Sequence, residues 1–134
     1  MTVRWDSRGT IAAVRRKAAQ GVKDATELVE DVSVQKITSG PKTGIVYSRP
    51  GGVTHQASAA GEAPANDTGA LLDSRLTEFA DDGLIATFSY NTAYSRRLEL
   101  GDEDFPARPY LNSSLEEHRD EVERLISSSI RGAL

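Results

Sequence analysis

The sequence predicts an α+β domain. Three observations predict it: a helical period of apolar residues at each end of the chain, two pairs of β-rich runs joined by turn residues between them, and a length of 134 residues, enough for one core and one domain spanning 1–134. The expected architecture is a long N-terminal helix and a C-terminal helix packed on a small, mostly antiparallel sheet of two hairpins, with a long loop between the hairpins.

Each element follows from local pattern. From about residue 7 to 33 the apolar residues Ile11, Val14, Ala18, Val22, Ala25, Val29 and Val32 recur at spacings of three and four, which is one face of a helix. Ser7 or Asp6 supplies its N-cap, and Arg15, Arg16, Lys17, Lys23, Asp24, Glu27, Glu30 and Asp31 take the wet face. Residues 34 to 38 and 44 to 48 are β-branched runs around Ser39-Gly40-Pro41-Lys42-Thr43, and read as a first hairpin. A second is expected from residues 71 to 79 and 84 to 90, because Asp81-Asp82-Gly83 offers the positive backbone φ of a tight turn. In its return strand Leu84, Ala86, Phe88 and Tyr90 share one face, the one expected to be buried. The loop, about 49–69, holds few large apolar side chains and cannot build a core of its own; such a loop is functional or disordered. Residues 92 to 100 suit a short helix stopped by Gly101. After the acidic link Asp102-Glu103-Asp104, Ser113 or Ser114 followed three residues later by Glu116 or Glu117 forms a capping box for the last helix. That helix carries a stripe of Leu111, Leu115, His118, Val122, Leu125 or Ile126, and Ile130, and should pack beside the first helix.

Composition removes several function classes. The chain has no cysteine, which excludes disulfides, thiolate metal sites and cysteine nucleophiles, and leaves only His55 and His118 for imidazole chemistry. No run approaches the roughly 20 apolar residues that span a bilayer, so no membrane partner is expected. The start, Met1-Thr2-Val3-Arg4-Trp5-Asp6-Ser7, lacks the apolar core of a leader, which predicts synthesis and use in the cytoplasm. Charge is segregated. Residues 1 to 23 hold six cations against one acid, whereas residues 98 to 124 hold nine acids against three cations. A chain with a basic end and an acidic end can meet its own copy head to tail, the geometry that generates rings; the alternative is two solvated faces of one subunit.

No catalytic constellation emerges, and no cofactor or metal is expected. His55 lies in the loop beside Gln56, within reach of Glu62 and Asp67 if the loop folds back, but general acid-base work needs an oriented partner that sequence does not place. Asp81-Asp82 and Asp102-Glu103-Asp104 lack the spacing of a calcium loop, Gly51-Gly52 and Gly61 lack the context of a phosphate cradle, and Ser48, Ser58 and Ser74 lack that of a nucleophile elbow. The basic first helix offers phosphate contacts, against the default of a solvated or subunit-facing helix.

Three blocks of sequence are more distinctive than these fragments. They are His55-Gln56-Ala57-Ser58-Ala59-Ala60-Gly61-Glu62-Ala63-Pro64-Ala65-Asn66-Asp67-Thr68-Gly69-Ala70-Leu71; Asn91-Thr92-Ala93-Tyr94 with Leu98-Glu99-Leu100-Gly101; and Ala107-Arg108-Pro109-Tyr110-Leu111. In this order they resemble the small head-tail joining, or tail-completion, proteins of long-tailed, siphovirus-like bacteriophages and gene transfer agents. The resemblance covers residues 55 to 111; the outer helices fit by pattern alone. Leu100 departs from it, standing where an aromatic is common, and so does the polar Asn66 before Asp67.

The resemblance implies a non-enzymatic virion part, made in the host cytoplasm, that forms a ring where the tail meets the filled capsid. Its implied partners are copies of itself, in a hexamer, the adjoining connector and tail terminator or tube proteins, and DNA passing through the channel without sequence recognition. Interface residues expected on this basis are Arg15, Arg16, Lys17, His55, Gln56, Gly61, Pro64, Asp67, Thr68, Gly69, Tyr94, Glu99, Arg108 and Pro109. Asp67-Thr68-Gly69 is expected to close the loop into the next strand, the Asp accepting a backbone hydrogen bond. Arg108, stiffened by Pro109, is expected to sit near Glu99 or a neighbour's acid, and Tyr94 to offer contact area with a polar tip. Each of these also has a purely stabilising reading. The rivals are a terminator or stopper ring of the same junction and a small nucleic-acid-binding regulator.

Overall fold

A computed structural model describes the whole chain, residues 1–134. Helix α1 spans Ser7–Ser39, and strands β1 (Val46–Ser48) and β2 (Thr54–Gln56) follow. Next come a helical turn α2 (Ala70–Asp73), strands β3 (Arg75–Ala80) and β4 (Ile85–Tyr90), and helices α3 (Ser95–Leu100), α4 (Asn112–Glu117) and α5 (Arg119–Arg131). The α+β class and the two long terminal helical segments match the sequence-based expectation. The two antiparallel hairpins pair only within themselves, β1 with β2 and β3 with β4, so there are two ribbons in place of one small sheet.

Asp6 starts α1: its carboxylate accepts from the backbone N–H of Arg8 and Gly9, both at 3.1 Å. The helix does not stop at residue 33. The stretch 34 to 38, expected as a strand, is its last turn, because Gly21, Ala25, Val29, Ser33 and Ile37 form an unbroken four-residue stripe of buried positions. Burying Ile37 in the main core outweighs the β-propensity of the run. The first hairpin is therefore displaced, pairing Val46 with Gln56 and Ser48 with Thr54. Part of the expected loop becomes its turn and second strand.

The second hairpin forms as expected. Thr77 faces Phe88 and Phe79 faces Ala86, and Asp82 and Gly83 both take positive φ at the turn. Leu84, Ala86, Phe88 and Tyr90 are the covered side of β4, which lies on α1. The strand β3 starts at Arg75, later than expected, because Gly69 with φ of 84° turns residues 70–73 into α2.

The core joins α1, α2, β4 and the segment before α4 through Ile37, Leu71, Tyr90 and Tyr110. Tyr90 stacks edge-on against both Tyr110 (5.0 Å) and Phe88 (5.2 Å). Its hydroxyl shares a 2.7 Å hydrogen bond with the buried Ser33, and the Tyr110 hydroxyl donates to the carbonyl of Ser95. Burial raises the pKa of both tyrosines.

The last helix is broken at His118, whose φ of −117° and ψ of 15° separate α4 from α5. The break lets α4 follow the Tyr110 turn while α5 lies antiparallel along α1. Lys36 meets Glu117 at one end, and Ser129 donates to the Lys17 carbonyl at the other. Between them Gly21 permits close approach; a Cβ there would stand 2.8 Å from the backbone of Ile126. The expected stripe from Leu111 to Ile130 is the partly covered side of this pair. The capping box is not used. Ser113 accepts from Lys36, Ser114 donates to the Tyr110 carbonyl, and Glu99 caps α4 instead. No helix is long and apolar enough to cross a membrane.

Candidate functional site

The chain from β1 to α2 folds back on itself and on the link before α4, and most of the distinctive sequence meets there. Glu62 is the first tie. Its carboxylate accepts from the Thr43 hydroxyl (2.6 Å), the Thr43 N–H (2.9 Å) and the Ala59 N–H (2.8 Å). These bonds, the Thr43 hydroxyl foremost, hold its carboxyl below the usual carboxylate range. Gly61, at φ of 80°, donates its N–H to the Ala107 carbonyl at 3.0 Å. Asp67 is the second tie. It forms an ion pair with Arg49, and His55 Nδ1 lies 3.8 Å from its other oxygen. The loop thus folds back as the sequence required for His55 to find an acid, but the acid is Asp67, and Glu62 is engaged elsewhere.

Arg108 forms the third tie. Its Nε donates to the Ser58 hydroxyl at 2.8 Å and to the Ser58 carbonyl at 3.3 Å, and its guanidinium lies 4.5 Å from the centre of the Phe105 ring. Arg97 covers Phe105 at 4.9 Å and pairs with Asp102 at 2.6 Å. Of the two partners expected for the Arg108 cation, Glu99 is not the one it meets within the chain, although the Arg108 backbone N–H donates to the Leu98 carbonyl at 2.7 Å. Glu99 accepts three backbone N–H groups, from Tyr110 (2.9 Å), Leu111 (3.0 Å) and Asn112 (2.8 Å). Pro109, which has no N–H to place, precedes this run and leads into it. Nη1 of Arg108 is buried without a hydrogen-bond acceptor; the Phe105 ring is what its cation meets.

These ties frame a cleft of about 450 Å³ between the β1–β2 arm and α3. His55, Ser58, Pro64, Asp67, Thr68, Gly69, Tyr94 and Arg108 all line it, with Tyr47, Leu98 and Phe105. Pro64 is buried and Tyr94, at the start of α3, is exposed. Thr68 accepts the Ala70 N–H at 3.4 Å, so Asp67-Thr68-Gly69 leads into α2 and not a strand, and Asp67 takes Arg49 where a backbone N–H was expected. Gln56 stands on the outer side of the arm, with its amide donating to the Gly44 carbonyl. Sequence reasoning passed over Arg49, Ser58, Glu62 and Phe105 as functional positions. Ser58, Gly61 and Glu62 all lie inside the first distinctive block, which was their available signal; nothing local marked Phe105.

The other expected interface residues lie elsewhere. Arg15 pairs with Asp81 (3.3 Å) and approaches Asp82 (4.0 Å) across the β3–β4 turn of its own chain. Arg16 and Lys17 are exposed on α1. Chemically the cleft offers a cation on an aromatic ring, an acid paired with Arg49, hydroxyls and apolar walls.

A second feature is the amount of surface left uncovered. The chain exposes 8949 Å², where a compact monomer of its 14.5 kDa exposes about 6,900 Å². The β1–β2 arm holds Ile45 (69% exposed), Val46, Tyr47 and Val53 in solvent, and Leu76 and Ile85 lie on the open side of the second ribbon. No protein-family model, curated protein or solved structure matches this chain.

Proposed function

We propose that this chain is a structural subunit that closes, with copies of itself, into the tail-completion ring of a long-tailed bacteriophage, capping the tail and docking it to the DNA-filled head. The observation that carries the assembly is the surplus surface. An excess of about 2,000 Å² over a compact monomer is close to what two neighbours, each burying about 800 Å² of a subunit, remove. Two-stranded ribbons with uncovered apolar sides are marginal in water and gain a third layer or strand when a neighbour arrives.

The place of the ring rests on the resemblance of the three sequence blocks. Their convergence on one cleft supports it, because residues far apart in sequence then have one shared role. In this reading the β1–β2 arm and its cleft face the adjoining ring, and DNA passes without base recognition. The chain works by shape and charge, with no reaction. The experiment is electron microscopy of particles from a phage or prophage lacking this gene, with the gene restored in trans. Filled heads beside separate tails of normal length are expected. Overlong tails would make it the terminator, empty heads the stopper, and intact infectious particles would refute the virion role.

A further inference from the structure

A ring of the proposed kind joins two different faces of each subunit, and the contact assigned to those faces rests on that reading. Helix α1 is about 50 Å long, whereas a compact domain of this length is about 36 Å across. Helix α5 accompanies it only as far as Lys17. Residues 1–12 are exposed throughout, except for the partly covered Thr10, and Val3, Trp5 (77% exposed) and Ile11 lie open on them. The cations of this overhang are unused. Arg4, Arg8 and Arg16 have no carboxylate within 4.0 Å, and the single acid nearby, Asp6, is occupied as the N-cap.

The complementary face is at the other end of the same subunit. Asp120, Glu121 and Glu123, all near the start of α5, are exposed and have no cationic partner within 4.0 Å. The dipole of α5 accounts for Asp120 and Glu121 in its first turn but not for Glu123, whose nearest cation, Arg119, is already paired with Glu116.

The two faces cannot satisfy each other within one chain. Gly21 abuts Ile126 and α5 runs antiparallel to α1, so Glu121 stands about 27 Å along α1 from Arg8, several Debye lengths away.

We infer that the α1 overhang of one subunit docks on the acidic face of the next copy, with Arg4, Arg8 and Arg16 meeting Asp120, Glu121 and Glu123 while Trp5 and Ile11 are covered between them. A basic donor at one end and an acidic acceptor at the other make a heterologous contact, which repeats until it closes. Arg15, already tied to Asp81, contributes orientation of the β3–β4 turn and not the contact itself. The alternative occupant of a basic overhang is the phosphate backbone of DNA. The uncovered Val3, Trp5 and Ile11 favour a protein face, since phosphates give apolar side chains no cover.

Because the chain has no cysteine, the contact can be trapped directly. The full chain carrying both Arg8→Cys and Glu121→Cys, mildly oxidised, should give a reducible ladder of oligomers on a denaturing gel, while each single variant stays uncrosslinked and the two mixed give crosslinked dimers only. Reversing one face (Arg8→Glu with Arg16→Glu, or Asp120→Lys with Glu121→Lys) should weaken assembly roughly tenfold or more in sedimentation, since like charges then oppose. All four reversals in one chain should restore it. Monomers alone from the double-cysteine chain up to its solubility limit would overturn the inference, as would dimers from either single variant or failure of the four reversals to rescue a folded chain. Salt-sensitive binding of labelled duplex DNA, lost on reversing Arg8 and Arg16 while assembly stays normal, would assign the overhang to nucleic acid. Trapped ladders from a protein that particles do not need would sink the virion reading and leave this contact standing.

Discussion

Removing the Glu99 carboxylate should unfasten the whole C-terminal third of the chain. This one side chain receives the N–H groups of Tyr110, Leu111 and Asn112, the orphan donors at the start of α4. It also bonds a residue of α3 to the segment carrying Tyr110, the largest fully buried side chain of the core. A hydrogen bond to a charged acceptor contributes about 1.5–3 kcal/mol, and water can replace the partner only where the donor is reachable. Tyr110 is buried, Leu111 partly covered and Asn112 exposed, so the three bonds do not count equally. Glu99→Ala should therefore cost about 3 kcal/mol, near 10 °C in Tm for a chain of this size. Glu99→Gln keeps one acceptor oxygen and should lose about 1 kcal/mol. Urea unfolding at neutral pH, followed by circular dichroism, measures both, with Glu103→Ala as the exposed control expected within about 0.5 kcal/mol of wild type. If Glu99→Ala also falls within about 0.5 kcal/mol, the cap reasoning is wrong and the Ser113 or Ser114 capping box does the work after all.

Other expectations rest on the same contacts. Gly21→Val should destabilise by about 1–3 kcal/mol in a thermal melt, since even a Cβ meets the Ile126 backbone, and should pry α5 from α1; an unchanged Tm would refute the close approach. Ile37→Ala should cost about 2–5 kcal/mol, which would be absent if residues 34–38 were a surface strand. Because the Glu62 carboxyl is held below its usual value of 4.5, its contribution to loop docking is present above that pH and is lost as pH falls through the depressed folded value. Hydrogen exchange at Thr43 and Ala59 should rise on acidification in the wild type, and be already fast and pH-insensitive in Glu62→Gln once intrinsic exchange is subtracted. Arg108→Lys should loosen the cleft, because an ammonium cannot both stack on Phe105 and keep the Ser58 bonds; unchanged exchange protection of the 57–62 segment would count against that role.

The architecture also explains why so much apolar surface stays open. The chain's buried set is small for its length, four serines among it; the hydroxyls of Ser33 and Ser58 fasten distant segments, to Tyr90 and Arg108, while those of Ser95 and Ser114 bond carbonyls close by in the chain. A core held this way orders the backbone while leaving apolar side chains on both ribbons and on the overhang exposed.

What the amino-acid order determined by itself was what depends on near neighbours. The i, i+4 stripes of the outer helices, the Asp6 cap, the Asp82-Gly83 turn, the covered face of β4 and the Gly101 stop are all local geometry, and all were legible. The segregation of charge was legible too, since it needs only counting. Tertiary structure decided the rest. Residues 34–38 have strand propensity and became helix because Ile37 completes the core. Ser113 and Ser114 have the spacing of a cap and lost that task to Glu99, more than ten residues earlier in the chain. Arg108 found Ser58 and Phe105 and not Glu99, and Asp67 found Arg49 across the loop. In each case two local options differ by about 1 kcal/mol or less, and a contact between distant segments, worth more than that, makes the choice.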